Sequence, residues 1–465
     1  MGNRRGKRRM IRELQISGFR GFGLKQTIPF AIPNKQKSGS GLTIITGANN
    51  AGKTTVIEAI RAFNDSESPS FSEGRRNIKT GGIVQLQIKD SSGNTARIES
   101  MPGGGSSTKK TGHIDSENYI LPSRRAVNFE FGKEHMDRSQ YIRYAQKLGN
   151  QREHSLESFS ARIFQIEQRK TEFDNLIARI LGTDFKWAVE QRDSGYYYIK
   201  YSKDTVTHSS EGVGDGIWSI FTICAALFDA TDGSTIVIDE PELSVHPSLQ
   251  KKLMSLLMEY AKTRQIVICT HSPYFISWEA IINGAQLVRI VKEGTDSKCY
   301  CLSEDCRSHF GGITRDLNNP HTLGLEANEV FFLEDRIILV EGQEDVLIFK
   351  KIQEELKYSI NGDFFGWGVG GALKMRAFLA LFRDMGYHHV AAILDGDKRD
   401  LFDKLKQEFS ETDYKFFVLP TDDIRDKSNR TIQSKVGIAT ERGKIKPEYK
   451  SDVLEIFNGI KSAFE

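Results

Sequence analysis

The stretch TGANNAGKTT, residues 46–55, places Gly47, Gly52, Lys53 and Thr54 at the spacing G-x-x-x-x-G-K-[ST]. Glycines at these positions let the backbone curl so that its N–H groups point inward at phosphate oxygens, and the helix that follows offers its positive end. The context fits: the apolar run LTII precedes the loop, and VIEAIRAF, with apolar residues at helical spacing, follows it. Asn49, Asn50, Gly52, Lys53, Thr54 and Thr55 are therefore the candidate nucleotide contacts. Lys53 is expected to bridge the β- and γ-phosphates and the Thr54 hydroxyl to hold Mg²⁺.

A second set lies in STIVIDEPE, where an apolar strand ends in Asp239 and Glu240. An aspartate at a strand end reaches the Mg²⁺ shell, and the adjacent glutamate orients or deprotonates the attacking water. Two solvated carboxylates would not explain the apolar run before them. Another such strand, QIVICTHS, ends in His271, which is placed to meet a γ-phosphate from a neighbouring strand.

The third set is carboxylate only. IILVEGQEDV ends an apolar strand at Glu341 and opens a helix with Asp345, while HVAAILDGD ends another at Asp395 and Asp397. Carboxylates at the ends of neighbouring parallel strands meet in one crevice and repel unless a cation neutralises them. All-oxygen ligands favour Mg²⁺ or Mn²⁺, and such ions suit phosphodiester cleavage, activating a water and stabilising the leaving oxygen. Ordinary solvated strand ends would account for one such pair more easily than two. Lys374, closing the glycine-rich GWGVGGALK, is a candidate for phosphate contact or transition-state stabilisation, or a solvated lysine.

The elements that must position these groups can be read in outline. A chain of 465 residues exceeds one hydrophobic core, so more than one domain is expected. The N-terminal segment reads as two strands joined by GFRGFG, followed by the strand at Leu42–Ile45, the glycine loop and a helix from Val56 to Phe63. Strands follow between about 74 and 112, then a proline-free, helix-spaced insertion over about 136–181. From Arg336 a strand–helix alternation marks a second α/β unit. No apolar run is long enough to span a membrane and no secretory signal is visible, so a cytoplasmic location is expected.

The 64 basic and 61 acidic residues nearly cancel to +3, so any nucleic-acid surface must be local. The densest basic cluster is Arg4, Arg5, Lys7, Arg8 and Arg9, which fits either nucleic-acid contact or a solvated end. CYCLSEDCRSH sets Cys299, Cys301, Cys306 and His309 close together as potential zinc ligands. Their spacing is not that of a paired knuckle, and KCYCLS also reads as a strand with both thiols on one face.

Together, the residues from Asp239 to Glu242, His246–Pro247 and Thr270–Pro273 resemble the Walker B, D-loop and H-loop series of ABC-type ATPases, in the branch of the SMC, RecF and OLD (overcoming lysogenization defect) proteins. ISGFRGF resembles the start of that branch. The second unit resembles a TOPRIM domain, with Glu341, Asp345, Asp395 and Asp397 as its metal acids, and Asp422, Asp423 and Asp426 where a last acid is sought. An ABC-type head followed by TOPRIM is the OLD arrangement, and LGLEANEVFFLEDRIILVEG is similar to the family's junction.

The resemblance implies an α/β fold, with an ABC-type P-loop ATPase head at 1–330 carrying a short helical insertion and a Rossmann-like TOPRIM domain at 331–465. It implies ATP and Mg²⁺, with Mn²⁺ an option at the acids, and heads that pair as a homodimer or higher oligomer around ATP. A signature loop in HSSEGVGDGI would supply Ser209, Ser210 and Gly212 to the partner's γ-phosphate, although Glu211 stands where glycine is usual. It further implies a DNA endonuclease with Glu240, His271, Glu341, Lys374, Asp395 and Asp397 in catalytic roles. Several members of the family it resembles act in antiphage defence, some beside partner proteins, so such a role and a separate effector or trigger protein are what the resemblance implies. The rival reading is an ATP-binding scaffold or sensor that recruits an effector and does not cut. A topoisomerase would need a tyrosine-bearing domain, and an SMC arm would need more chain than lies between Lys53 and Ser209.

Overall fold

A computed structural model describes residues 9–64, 68–101, 106–125, 132–133, 135–142, 159–203, 206–209, 213–313, 322–332, 335–427 and 434–465. The basic positions Arg4, Arg5, Lys7 and Arg8, and the signature positions Ser210 and Gly212, lie outside these. The chain divides into two units, Met1–Cys301 and Leu302–Glu465.

In the first unit, β1 (Ile11–Ser17) buries Ile11, Leu14 and Ile16 on one face and pairs with β2 (Gln26–Pro29). The fully buried run β3 (Leu42–Thr46) leads through the glycine loop to α1 (Lys53–Arg61). Next come β4 (Gln85–Asp90), β5 (Thr95–Ser100), β6 (Thr108–Thr111) and β7 (Asn118–Leu121). The insertion supplies α2 (Arg138–Gln140), α3 (Ser160–Glu167) and α4 (Lys170–Leu181), and an antiparallel meander follows as β8 (Phe185–Gln191), β9 (Tyr197–Lys203) and β10 (Val206–Ser209). The unit closes with α5 (Asp215–Asp229), β11 (Thr235–Asp239), α6 (Pro247–Tyr260), β12 (Gln265–Cys269), α7 (Trp278–Ile282), β13 (Gln286–Glu293) and β14 (Asp296–Cys301).

Besides the three-stranded meander β10-β9-β8, two larger sheets organise these strands. One is antiparallel, ordered β2-β1-β4-β5-β6. The other runs β14-β13-β3-β12-β11-β7 and is parallel except for its β14 edge. Strands buried on both faces read as continuous apolar runs, which is why β3, β11 and β12 stood out in the sequence. The insertion is no free arm: α4 turns Phe173, Leu176, Ile177 and Ile180 inward, and the Phe173 ring meets Phe221 of α5 at 5.1 Å and Trp187 of β8 at 5.5 Å. Gln265, at the start of β12, is completely buried and ties the sheets together. Its Oε1 accepts from the Ile11 N–H and the Thr235 hydroxyl, and its Nε2 donates to the carbonyls of Ile11 and Ala31.

The second unit begins with α8 (Glu304–Ile313) and α9 (Leu325–Glu329). Within this unit α8 packs through Phe310, which stands edge-on to Phe378 at 5.3 Å. There follow β15 (Arg336–Leu339), α10 (Gln343–Leu356), β16 (Asp363–Phe364), α11 (Met375–Asp384), β17 (His389–Leu394), α12 (Arg399–Glu408), β18 (Lys415–Val418), β19 (Asp423–Arg425), β20 (Gly437–Ala439) and α13 (Lys450–Phe464). The sheet β16-β15-β17-β18 is parallel throughout, as helical crossovers require, and β19 pairs with β20.

The four zinc-type residues are divided between the two units. Cys299 and Cys301 belong to β14 and pack on the core of the first unit. Cys306 and His309 ride on α8, where the His309 ring contacts the Asp305 carbonyl and Arg376. Burial pushes all three thiols up, Cys301 and Cys306 to about 12, which disfavours the thiolate that zinc needs. Among the described residues no helix is long and apolar enough to cross a membrane.

Candidate functional sites

In the nucleotide-binding unit, strand order does the positioning. β12 lies between β3 and β11, so His271 emerges between the glycine loop and the Asp239–Glu240 strand end. The loop uses backbone that only glycine tolerates at two points. Gly47 has φ 143°, with space for a Cβ blocked by the Ile290 carbonyl, and Gly52 has φ 121° beneath the Phe22 ring. Asn49 and Asn50 are exposed on the loop, while Lys53 and Thr55 are buried at the start of α1.

Lys53 Nζ donates to the carbonyls of Gly47 at 2.9 Å and Ala48 at 3.0 Å. Burial pulls its ammonium below the usual range, against the opposing charges of Asp239, Glu240 and Glu242. The Thr54 hydroxyl donates to Asp239 Oδ2 at 3.2 Å, bringing together two oxygen ligands of the kind Mg²⁺ takes. Glu240 is held at φ 48°, a left-handed backbone that costs a non-glycine residue about 1–2 kcal/mol. Its N–H donates to the Cys269 carbonyl at 2.7 Å. The half-buried Glu242 carboxylate accepts from the Thr270 hydroxyl and the His271 N–H, so the acid two residues beyond Glu240 fixes the loop that carries His271. Burial, and then the nearby Lys53, hold His271 below its usual range, leaving the imidazole neutral at pH 7.

Arg125 carries no motif that marks it in the sequence. Its guanidinium is buried behind this strand end, and it donates to the carbonyls of Asp239 at 2.8 Å, Glu240 at 3.0 Å and Pro122 at 2.9 Å, and to the Ser219 hydroxyl from two nitrogens. Burial brings it down to about 10, so it stays charged.

In the second unit, Glu341 follows β15, and Asp395 follows the adjacent β17. The Asp395 N–H donates to Glu341 Oε1 at 3.0 Å, joining the two strand ends. Asp345 caps α10 by accepting from the Gly342 N–H at 2.8 Å. Gly396 donates to the Thr421 carbonyl, which brings in Asp423, 3% exposed; of the three aspartates considered for a last acid, this one faces the cluster. The glycine-rich segment supports the cluster from below. Gly371 donates to the Glu341 carbonyl at 2.7 Å, and a Cβ on Gly368 would lie 2.7 Å from the Gly342 backbone.

The electrostatics are those of crowded acids. Asp395 is pushed up to about 8 by burial, then by Asp345, Glu341, Asp423 and Asp397. Asp345 is pushed up to about 7 by burial, then by Glu341 and Asp423, and Glu341 rises as well, chiefly through burial. Burial acts on Asp397 in the same direction, but hydrogen bonds from Lys398 and Lys435, each at 2.8 Å, hold it below the usual range. Lys427 pairs with Asp423 at 2.7 Å. Lys374 is placed apart from these pairings, its Nζ near the Gly370 turn that Thr322 also lines.

The donor chemistry is of the kind a divalent cation takes: the groups are all oxygen, and the lysines around them are fewer than the acids. As the side chains stand, no three His, Cys, Asp or Glu among the described residues are grouped closely enough to hold one ion.

The first unit is thus a P-loop ATPase domain of the ABC-head type and the second a parallel α/β domain with an acidic crevice. The chain belongs to the family described as "AAA domain, putative AbiEii toxin, Type IV TA system", which residues 42–277 match, and residues 332–397 match the "Overcoming lysogenization defect protein-like, TOPRIM domain". This is the ATPase–TOPRIM combination of the OLD proteins.

Among relatives, it is 26% identical over 200 residues to Endonuclease GajA of Bacillus cereus, covering 42% of this chain and 32% of that protein. It is 24% identical over 380 residues to OLD nuclease of Thermus scotoductus, covering 65% of this chain and 68% of that one. The chain thus spans about a third of the first relative's length. A solved SMC head bound to the C-winged helix domain of ScpA superposes with a TM-score of 0.43 at 17% identity, covering 63% of this chain and 98% of that one.

Proposed function

We propose that this protein is an ATP-regulated, divalent-metal-dependent DNA endonuclease of OLD type. The observation that carries the reading is the joining of two parallel strand ends, through Glu341 and the Asp395 N–H, into a crevice that also gathers Asp345, Asp397 and Asp423. The names of the relatives support nuclease chemistry, and the resemblance alone supports DNA as the substrate and a role in antiphage defence.

In the first unit, the loop N–H groups and Lys53 bind the triphosphate, and Thr54 and Asp239 hold Mg²⁺. Glu240 orients and deprotonates the attacking water, and neutral His271 donates a hydrogen bond to the γ-phosphate. Two heads pair around the nucleotide, with Ser210 and Gly212 facing the partner's phosphate. In the second unit, Glu341, Asp345, Asp395 and Asp397, with Asp423, would hold Mg²⁺ or Mn²⁺. When bound, the metal supplies an activated water and charge stabilisation at the leaving oxygen. Lys435, Lys398 and Lys427 add positive charge beside a scissile phosphate, and Lys374 serves as a further phosphate contact.

The pairing of those lysines with Asp397 and Asp423, together with the lack of a closed ligand group among the described side chains, favours the second reading, an ATP-binding scaffold that does not cut. Cleavage of supercoiled plasmid with Mg²⁺ or Mn²⁺, with and without ATP, separates the two. Cutting that is lost in Asp395→Ala while ATP hydrolysis persists is the expected result, and Lys53→Ala shows whether ATP gates it. Intact ATP hydrolysis with no cutting by wild type under any condition would replace the nuclease reading with the scaffold.

A further inference from the structure

We propose that Arg125 is a positioning residue for ATP hydrolysis, fixing the Asp239–Glu240 strand end against helix α5. The inference rests on the ATPase reading of the first unit. Arg125 follows β7, far in sequence from every nucleotide motif, and is 7% exposed.

Its guanidinium has five N–H donors, and five contacts use them. Nε and one Nη donate to Ser219 Oγ at 2.9 and 2.6 Å. The other contacts go to the carbonyls of Pro122, Asp239 and Glu240. The choice of acceptors matters. The arginine binds the backbone of the two acids, so neither carboxylate is consumed in a salt bridge with it.

The Glu240 peptide is the one that needs holding. Its φ of 48° turns the residue out of the line of β11, and its N–H is anchored to Cys269 while its carbonyl is anchored to Arg125. A catalytic carboxylate held in a left-handed backbone keeps its aim only while the surroundings enforce it. Ser219 lies on the second turn of α5, whose first residue, Asp215, comes just after the expected signature loop. The clamp therefore makes one rigid piece of the strand end that carries the hydrolytic acids and the helix behind that loop.

The test uses the full chain and four proteins: wild type, Arg125→Lys, Ser219→Ala and the double variant. ATP turnover, equilibrium binding of a fluorescent ATP analogue and thermal melting are measured for each. Lysine keeps the charge but offers three donors without the fork.

Loss of an orienting partner typically costs 10- to 100-fold, so kcat is expected to fall about 30-fold in Arg125→Lys, with Kd for the analogue changed by less than about three-fold. Ser219→Ala is expected to lower kcat about five-fold. The double variant is expected to be no slower than Arg125→Lys, because both changes open the same clamp. Unchanged kcat, a parallel loss of kcat and affinity, or additive effects in the double variant would overturn the proposal. Should Arg125→Lys fail to fold, Ser219→Ala carries the same kcat-against-Kd criterion alone. A wild type that binds the analogue without turnover refutes the ATPase reading itself, before any variant is compared.

Discussion

Asp395→Asn should make the metal-free protein more stable at neutral pH. The native state raises Asp395 to about 8 and Asp345 to about 7, whereas an unfolded aspartate titrates near 3.9. Between those values the folded protein holds protons that the unfolded chain has released, so unfolding stability is fully present below about pH 4 and falls as pH rises towards 7–8. One such group costs about 1.4 kcal/mol per pH unit in this window. The two carboxyls share a site, so counting them as one proton gives a loss of about 3 kcal/mol between pH 5 and 7. In a domain of about 150–250 residues this lowers Tm by roughly 6–12 °C.

Asparagine keeps the shape, removes the group with the higher pKa and relieves Asp345 of one neighbour. Differential scanning calorimetry of the full chain in chelating buffer, from pH 5 to 8, should show a falling Tm in wild type and at most half that slope in Asp395→Asn. Saturating Mn²⁺ should stabilise wild type more at pH 8 than at pH 6, because the ion favours the charged acids. Parallel curves for the two proteins in chelator would refute the reasoning.

Gly368→Ala places a Cβ against the Gly342 backbone at φ 84°, and neither side can yield; melting should report a loss of about 2–4 kcal/mol, with metal binding weakened through the displaced Glu341 turn. Gln265→Leu leaves the Ile11 and Ala31 backbone groups buried without their partners, a loss of about 2–4 kcal/mol measurable by urea unfolding. Lys435→Met removes an ammonium from Asp397, so Mn²⁺ should bind about five-fold more tightly by calorimetry, roughly the 1 kcal/mol of a partly exposed ion pair.

The parts of the fold legible in the sequence are those where local pattern and burial agree. Leu42–Thr46, Thr235–Asp239 and Gln265–Cys269 are apolar runs because both faces of their sheet are covered, and each ends in the polar residues that the crevice needs. The same holds for Arg336–Leu339 and His389–Leu394, which carry the acids of the second unit. Arg125 was not legible, because its partners are backbone carbonyls and one serine that only the folded chain assembles. Asp423 could not be separated from Asp422 and Asp426, since which of the three turns inward is decided by the Gly396–Thr421 contact.

The amide of Gln265 also bears on the order in which the chain is completed. An amide has one accepting end and one donating end, so it matches β1 in one register and leaves donors and acceptors buried without partners in the adjacent ones. The N-terminal strand is thus checked against a residue 254 positions later in the chain. The alignment of β1 is therefore not completed by its neighbours β2 and β4 alone: its last buried backbone groups are matched only once β12 brings Gln265 against it.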